Sequence, residues 1–309
     1  MKSNTTKGPA APKKSLGARI RENWQLYLLL IIPVVLTFVY KYIPMYGIQI
    51  AFRDYKAGRG IWGSEWVGMY WFERFFNSPN AARMIKNTLL LSLYALLWGF
   101  PIPIILSLCI NQLRFKRYKR TIQTVLYAPH FISTMVVCGM IRIFLSPSGG
   151  LINLIAGTSV DFLTESRWFR TIYIVSGIWQ DAGWGCIIYL ATLSSVDSSL
   201  YEAAKVDGAS VFQRILNIDI PALLPMAMLN LIMSAGSLMN VGFEKAWLLQ
   251  TDLNKATSDV IAVYVYQLGI EQAKYSFSTA IGLFNTVVNL ILLFAVNYIS
   301  KKFNEVDFV

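Results

Sequence analysis

Residues 202–221 read EAAKVDGASVFQRILNIDIP, a polar passage held between two strongly apolar ones. The spacing predicts a short helix, a glycine break, a second short helix and then a proline opening the next apolar segment. Ser198 or Ser199 is placed to cap the first helix by accepting from its free amides. Glu202, Ala203 and Ala204 suit a compact turn that another backbone can approach closely. Gly208 permits a change of direction that a Cβ resists. Phe212, Ile215 and Ile218 recur at helical spacing and are expected to pin the second arm to the neighbouring helices. Pro221 belongs in a first turn, where a missing N–H costs little. A structured polar hairpin between apolar segments implies contact with something outside a bilayer.

The composition agrees with that setting. Of 309 residues, 55% are hydrophobic and only 15% charged, and mean hydropathy is +0.47. Soluble domains seldom carry so little charge. A span needs about 20 mostly apolar residues, and six segments meet or approach this: 26–48, 87–110, 122–145, 171–193, 222–242 and 278–299. The expected fold is therefore an all-α membrane protein of six helices. A basic tail (1–24) precedes a membrane domain (25–303) containing the polar loop 198–221, and a short tail (304–309) follows. Residues 1–15 are polar and lysine-rich and read as disordered. The first apolar run is not read as a cleavable signal, because no small-residue cleavage site follows it. Cys109, Cys138 and Cys186 all lie in apolar runs and match no disulfide or zinc spacing.

Orientation follows from lysine and arginine. Residues 1–24, the 114–120 link and Lys301–Lys302 are strongly basic, and threading six spans puts them on one side. The positive-inside rule makes that side cytoplasmic, with both termini and the 198–221 loop. The net charge of +11 is then explained by topology and anionic lipid, without nucleic acid.

The 202–221 passage resembles the signature loop of permease subunits in ATP-binding-cassette importers, EAA, three residues, G, nine residues, I, one residue, LP, with Ile220 standing where leucine is usual. PMYGIQIAF (44–52), KNTLLLS (86–92), APHFIST (128–134), GWGCIIYLATL (183–193), FEKAWLL (243–249) and DVIAVYVYQLGI (259–270) extend the resemblance to the carbohydrate-uptake group and its complex-oligosaccharide branch. The resemblance implies a type I importer architecture and a division of labour. A second permease subunit completes the pathway, and an ABC ATPase dimer binds Mg-ATP and hydrolyses it. An extracytoplasmic sugar-binding protein delivers an oligosaccharide. This chain would be a transport subunit with no catalytic residue, metal or cofactor of its own. The loop would be the coupling helix, with Glu202, Ala203, Ala204, Asp207 and Gly208 meeting the ATPase. Neither a GxxxxGK[ST] loop nor an HExxH pair occurs in the sequence.

The substrate path is less sharply written. Asn230, Ser234, Ser237 and Asn240 recur near helical spacing, and either line a pathway or serve as helix–helix glue. Asn285 and Asn289 pose the same choice. Asp181 lies mid-span and must face a cavity or a partner. Trp184 beside it, like Trp179, either stacks on a sugar or packs. His130 is either a base or ligand, or a polar anchor at the cytoplasmic boundary. Arg142 is placed to snorkel. Segments 41–86 and 243–277 either receive the binding protein or cap the bundle. Three rival readings stay open: a secondary transporter, although no internal repeat is visible, a membrane-embedded enzyme, and an ABC permease for a non-sugar solute.

Overall fold

The structure, a computed structural model, describes residue 17 and residues 21–304. The disordered reading of 1–15, most of the basic tail and residues 305–309 lie outside the described residues. The chain divides into two compact units, residues 1–49 and 50–309.

In the first unit, α1 (Trp24–Thr37) continues through a π turn, Phe38–Tyr42. It is apolar on all faces and none of its side chains is buried, the character of a helix made for lipid or for another protein.

The second unit opens with a small antiparallel hairpin, β1 (Arg53–Lys56) and β2 (Gly60–Trp66), with Arg53 opposite Trp66. The Arg53 guanidinium lies 5.4 Å from the Trp62 and Trp66 rings. A short α2 (Tyr70–Phe76) leads into α3 (Ala81–Gly99) and α4 (Pro101–Asn111). The break between them falls where Pro101 and Pro103 open α4. Next come α5 (Lys116–Tyr127), a 3₁₀ turn at Ala128–Phe131, α6 (Thr134–Phe144) and α7 (Leu151–Ala156). The longest inner helix is α8 (Ser166–Ser194), and the polar loop supplies α9 (Ser198–Val206) and α10 (Val211–Arg214). The remainder is α11 (Ile220–Gly236), α12 (Phe243–Leu249), α13 (Lys255–Ser258), α14 (Ile261–Tyr266) and α15 (Tyr275–Asn304).

Four described helical runs are long and apolar enough to cross a membrane: Trp24–Phe52, Ala81–Asn111, Val211–Gly236 and Tyr275–Tyr298. The expected third span, 122–145, is not one rod. Its two halves, Lys116–Phe131 and Thr134–Phe144, bend by 96°, because Pro129 ends one helix and Ser133 caps the next by accepting from Val136 N. The expected fourth span, 171–193, lies within the 29-residue α8, which is not among those four; Gln180 and Asp181 fall near its centre. The expected fifth span, 222–242, is displaced. Its helix ends at Gly236, while its start runs back without a break through a π turn, Ile215–Asp219, to Val211. Pro221 therefore sits inside a continuous helical run rather than opening one. The wider π turn just before it accommodates the carbonyl that a proline cannot pair.

The buried core joins these pieces. Leu91, Cys138, Phe169, Ile174, Ala246 and Leu249 pack α3, α6, α8 and α12 together. Met84, Met239, Ile261, Phe277 and Ile281 tie α14 and α15 to α3. Tyr189, Leu193, Leu223 and Ala227 join α8 to α11. Gly183 marks the closest crossing: a Cβ there would stand 1.9 Å from the Leu126 carbonyl oxygen. Burying one apolar side chain in such a cluster contributes about 1.5–3 kcal/mol relative to water. Arg142 donates to the Leu248 carbonyl and holds α12 against α6.

Candidate functional site: an exposed elbow and a polar cavity

The polar loop forms two helical arms joined at a left-handed glycine. Asp197, rather than Ser198 or Ser199, caps α9, accepting from Ser199 N at 2.9 Å. Both residue types cap well, so sequence alone does not separate the three positions. The amide bond holds the exposed Asp197 carboxyl below its usual range. The first arm closes when Ala209 N donates to Ala204 O (2.8 Å) and Gly208 N to Lys205 O (3.2 Å). This double closure requires positive φ at Gly208, which has +72°. A reciprocal capping box between Ser210 and Gln213 then starts α10.

Glu202, Ala203, Asp207 and Gly208 are exposed and Ala204 is half-buried. Beside them Val206 is 88% and Phe212 67% exposed. Phe212 therefore does not pin the second arm, and Ile215 and Ile218 are only half-buried. The anchor is a residue that periodicity passed over. Asp219 is fully buried and accepts from Tyr201 OH at 2.5 Å and from Gln112 Nε2 at 2.8 Å. One carboxylate thus ties the first arm of the elbow to the end of α4 and the root of α11. Burial, together with the adjacent carboxylate, pushes the Tyr201 hydroxyl up to about 12, so it remains a donor. The only sequence signal for Asp219 is an acid interrupting an apolar run.

On the other part of α11 a cavity of about 450 Å³ opens between α3, α4, α8 and α11. Asn230, Ser234, Ser237 and Asn240 all line it, with Tyr173 and Tyr189 opposite. The structure brings these four together, although α11 stops at Gly236 and Ser237 and Asn240 belong to the turn beyond it. Asn230 Nδ2 donates to Tyr189 OH at 3.2 Å. Asn240 Oδ1 accepts from Asn285 (3.3 Å) and Asn289 (3.1 Å), and Asn289 Oδ1 accepts from Met239 N. Asn285 and Asn289 thus act as glue that fixes the cavity's turn. The surface presented is uncharged: amides, hydroxyls and two phenol rings set among apolar side chains such as Leu91, Leu96, Phe100 and Ile188.

A second cavity, of about 630 Å³, adjoins the first and shares Ala95, Gly99, Pro103, Tyr173 and Gly242 with it. Asp181 lines it, but Trp184 lines neither. Asp181 Oδ1 is 3.0 Å from His130 Nδ1, and the His130 ring stacks on Trp184 at 4.5 Å. This contact places His130, in the 3₁₀ turn between α5 and α6, beside the middle of α8. Among the described residues no group of His, Cys, Asp or Glu is arranged to hold a metal.

Comparison with known proteins supplies the context for these two features. The family model described as a binding-protein-dependent transport system inner membrane component matches residues 88–305. Protein LplB of Bacillus subtilis is 43% identical, the match covering 94% of this chain and 92% of that one. The polygalacturonan/rhamnogalacturonan transport system permease protein YteP of the same organism is 40% identical, over 95% and 92%. A chain in the crystal structure of a bacterial alginate ABC transporter, in complex with an alginate pentasaccharide-bound periplasmic protein, superposes with a TM-score of 0.86 at 39% identity; the match covers 96% of this chain and all of that one. An exposed elbow rooted in a polar-lined helix bundle thus sits in a multi-pass membrane transport subunit, and the chain belongs to the family of binding-protein-dependent transport system inner membrane components.

Proposed function

We propose that this chain is the permease subunit of an ATP-driven importer of oligosaccharides. The six spans are α1, the α3–α4 run, the bent α5–α6 pair, α8, the Val211–Gly236 run and α15. Both termini and the elbow face the cytoplasm, a reading that the basic flanks support. The domain division is a tail at 1–24, the membrane domain at 25–303 with the elbow at 198–221, and a tail at 304–309. Mg-ATP binds to a partner ATPase dimer, which receives Glu202, Ala203, Ala204, Asp207 and Gly208. A second permease completes the path and an extracytoplasmic binding protein loads it. The ATPase biases a bundle that already has two arrangements, one open to each side.

The observation that carries this reading is the elbow itself. Four of its five contact candidates are exposed and the fifth, Ala204, is half-buried, while its root is fixed by Asp219. Support for a sugar comes from the uncharged lining of the first cavity and from the oligosaccharide and polysaccharide systems named for relatives at 39–40% identity. The test is reconstitution of the four-part system in liposomes. Cysteine pairs between position 203 and the ATPase surface should cross-link, and ATP-dependent uptake of an oligosaccharide should disappear with Glu202→Ala. Uptake by this chain without an ATPase would refute the proposal.

A further inference from the structure

We propose that Lys245 is a specificity-determining residue that receives the carboxylate of an acidic sugar in the second cavity. The proposal rests on the oligosaccharide reading above and narrows it to chains containing hexuronates. Lys245 belongs to FEKAWLL, a passage to which the elbow and the first cavity assign no task. It is nine-tenths buried, at 7% exposure, and it lines the second cavity. A buried ammonium is costly unless an anion offsets it, yet no described carboxylate comes within ion-pair distance of it. The Tyr173 ring lies 5.2 Å from Nζ, and an aromatic face offsets only part of that cost. The two acids that also line the cavity do not fill the vacancy. Asp181, hydrogen-bonded to His130 at 3.0 Å, attracts the ammonium only from beyond ion-pair distance, and Glu244 is exposed.

Position strengthens the assignment. Tyr173 borders both cavities, so the ammonium it covers lies at the junction of the charged compartment and the uncharged one. A sugar carboxylate held at Lys245 would leave neighbouring rings of the same chain against the amides and hydroxyls of Asn230, Ser234 and Asn240. A second cavity of about 630 Å³ is within the usual range for ligand sites. Relatives at 39–40% identity belong to transport systems for polygalacturonan and alginate, both of them polyuronates.

The test uses the complete importer, both permeases with the ATPase, in nanodiscs without its binding protein. Equilibrium binding of labelled tetragalacturonate is compared with that of its carboxyl-reduced, neutral counterpart at pH 7. Lys245→Met should weaken tetragalacturonate by about tenfold or more, since a charge-assisted contact is lost. Binding of the neutral tetramer should stay within about twofold. Lys245→Arg should keep the preference for the acidic tetramer. If Lys245→Met weakens both tetramers alike and Lys245→Arg rescues neither, or if it changes neither, the assignment is overturned. Binding of neither tetramer by the unaltered importer would instead remove the oligosaccharide reading, and this proposal with it.

Discussion

Replacing Asp219 should uncouple the elbow from the bundle without unfolding the bundle. The carboxylate is fully buried and accepts two hydrogen bonds, from Tyr201 at 2.5 Å and Gln112 at 2.8 Å. Bonds of this kind, to a carboxylate, contribute about 1.5–3 kcal/mol each. Asp219→Ala removes both and leaves two donors facing a gap, so the local cost is about 3–5 kcal/mol. Tyr201→Phe removes one bond and should cost about 1.5–3 kcal/mol. The assay is amide hydrogen exchange over residues 198–218 in the assembled importer, read beside uptake and ATPase activity. With about 1.4 kcal/mol per factor of ten, Asp219→Ala should lower protection in both arms by about 100-fold or more. Tyr201→Phe should lower it by about tenfold or more. ATPase activity should persist while uptake falls. The link should also be insensitive to pH between 6 and 9. A phenol whose folded pKa is raised to about 12 contributes fully below its ordinary value near 10 and loses that contribution only as pH climbs from there. Unchanged protection and unchanged uptake in Asp219→Ala would refute the idea that this carboxylate carries load.

Three further outcomes are expected. Gly183→Ala drives a Cβ into the Leu126 carbonyl, 1.9 Å away, and should destabilise the crossing of α5 and α8 by about 3 kcal/mol or more; Gly139→Ala, with nothing within 4 Å, should be neutral or slightly stabilising in the same thermal melt. Gly208→Val forces a β-branched residue to φ +72° at a cost of about 1–2 kcal/mol, and should abolish ATP-dependent uptake in liposomes while leaving expression and span packing intact. Asn254, 1% exposed, donates to Leu163 O and Leu249 O and accepts from Thr251 N and Ser258 Oγ; Asn254→Ala should loosen the cap between α8 and α13 by about 2–4 kcal/mol, seen as early protease cleavage within residues 250–260.

The parts of this molecule that were legible from sequence are those governed by local rules. Unbroken apolar length predicted the runs of α1, α3–α4, α11 and α15, and the glycine position predicted the corner of the elbow. Readings failed where a tertiary partner decides the outcome. Phe212 keeps perfect helical spacing with Ile215, but spacing identifies a face and not the body that covers it; the exposed ring faces away from its own bundle. Asp219 gave the opposite error, because its burial depends on a phenol 18 positions back and an amide 107 positions back. The 96° bend was signalled by Ala128-Pro129 but hidden by the hydropathy of the residues around it. The neighbourhood of His130 and Asp181 could not be foreseen without that bend, which carries the histidine inward to the centre of α8.

One helical run connects the two candidate sites, and this limits how they can be related. Asp219, at the root of the elbow, and Asn230, in the cavity wall, are eleven residues apart on the Val211–Gly236 run, or about 16 Å at 1.5 Å per residue. Were the run uniformly stiff, a displacement of the elbow would arrive at Asn230 undiminished, and the cavity would move as a wall rather than reshape. It is not uniform. Pro225 stands between the two and deprives the carbonyl one turn before it of a partner, so bending is cheapest there. If the elbow takes load as proposed, translation along the axis passes through while rotation is absorbed at Pro225. The uncharged wall would therefore slide past Tyr189 and Tyr173, exchanging hydrogen bonds such as Asn230 to Tyr189 for bonds to a solute. A wall of amides and hydroxyls suits this: each contact is worth only about 0.5–1.5 kcal/mol net and can be made and broken without trapping what it holds.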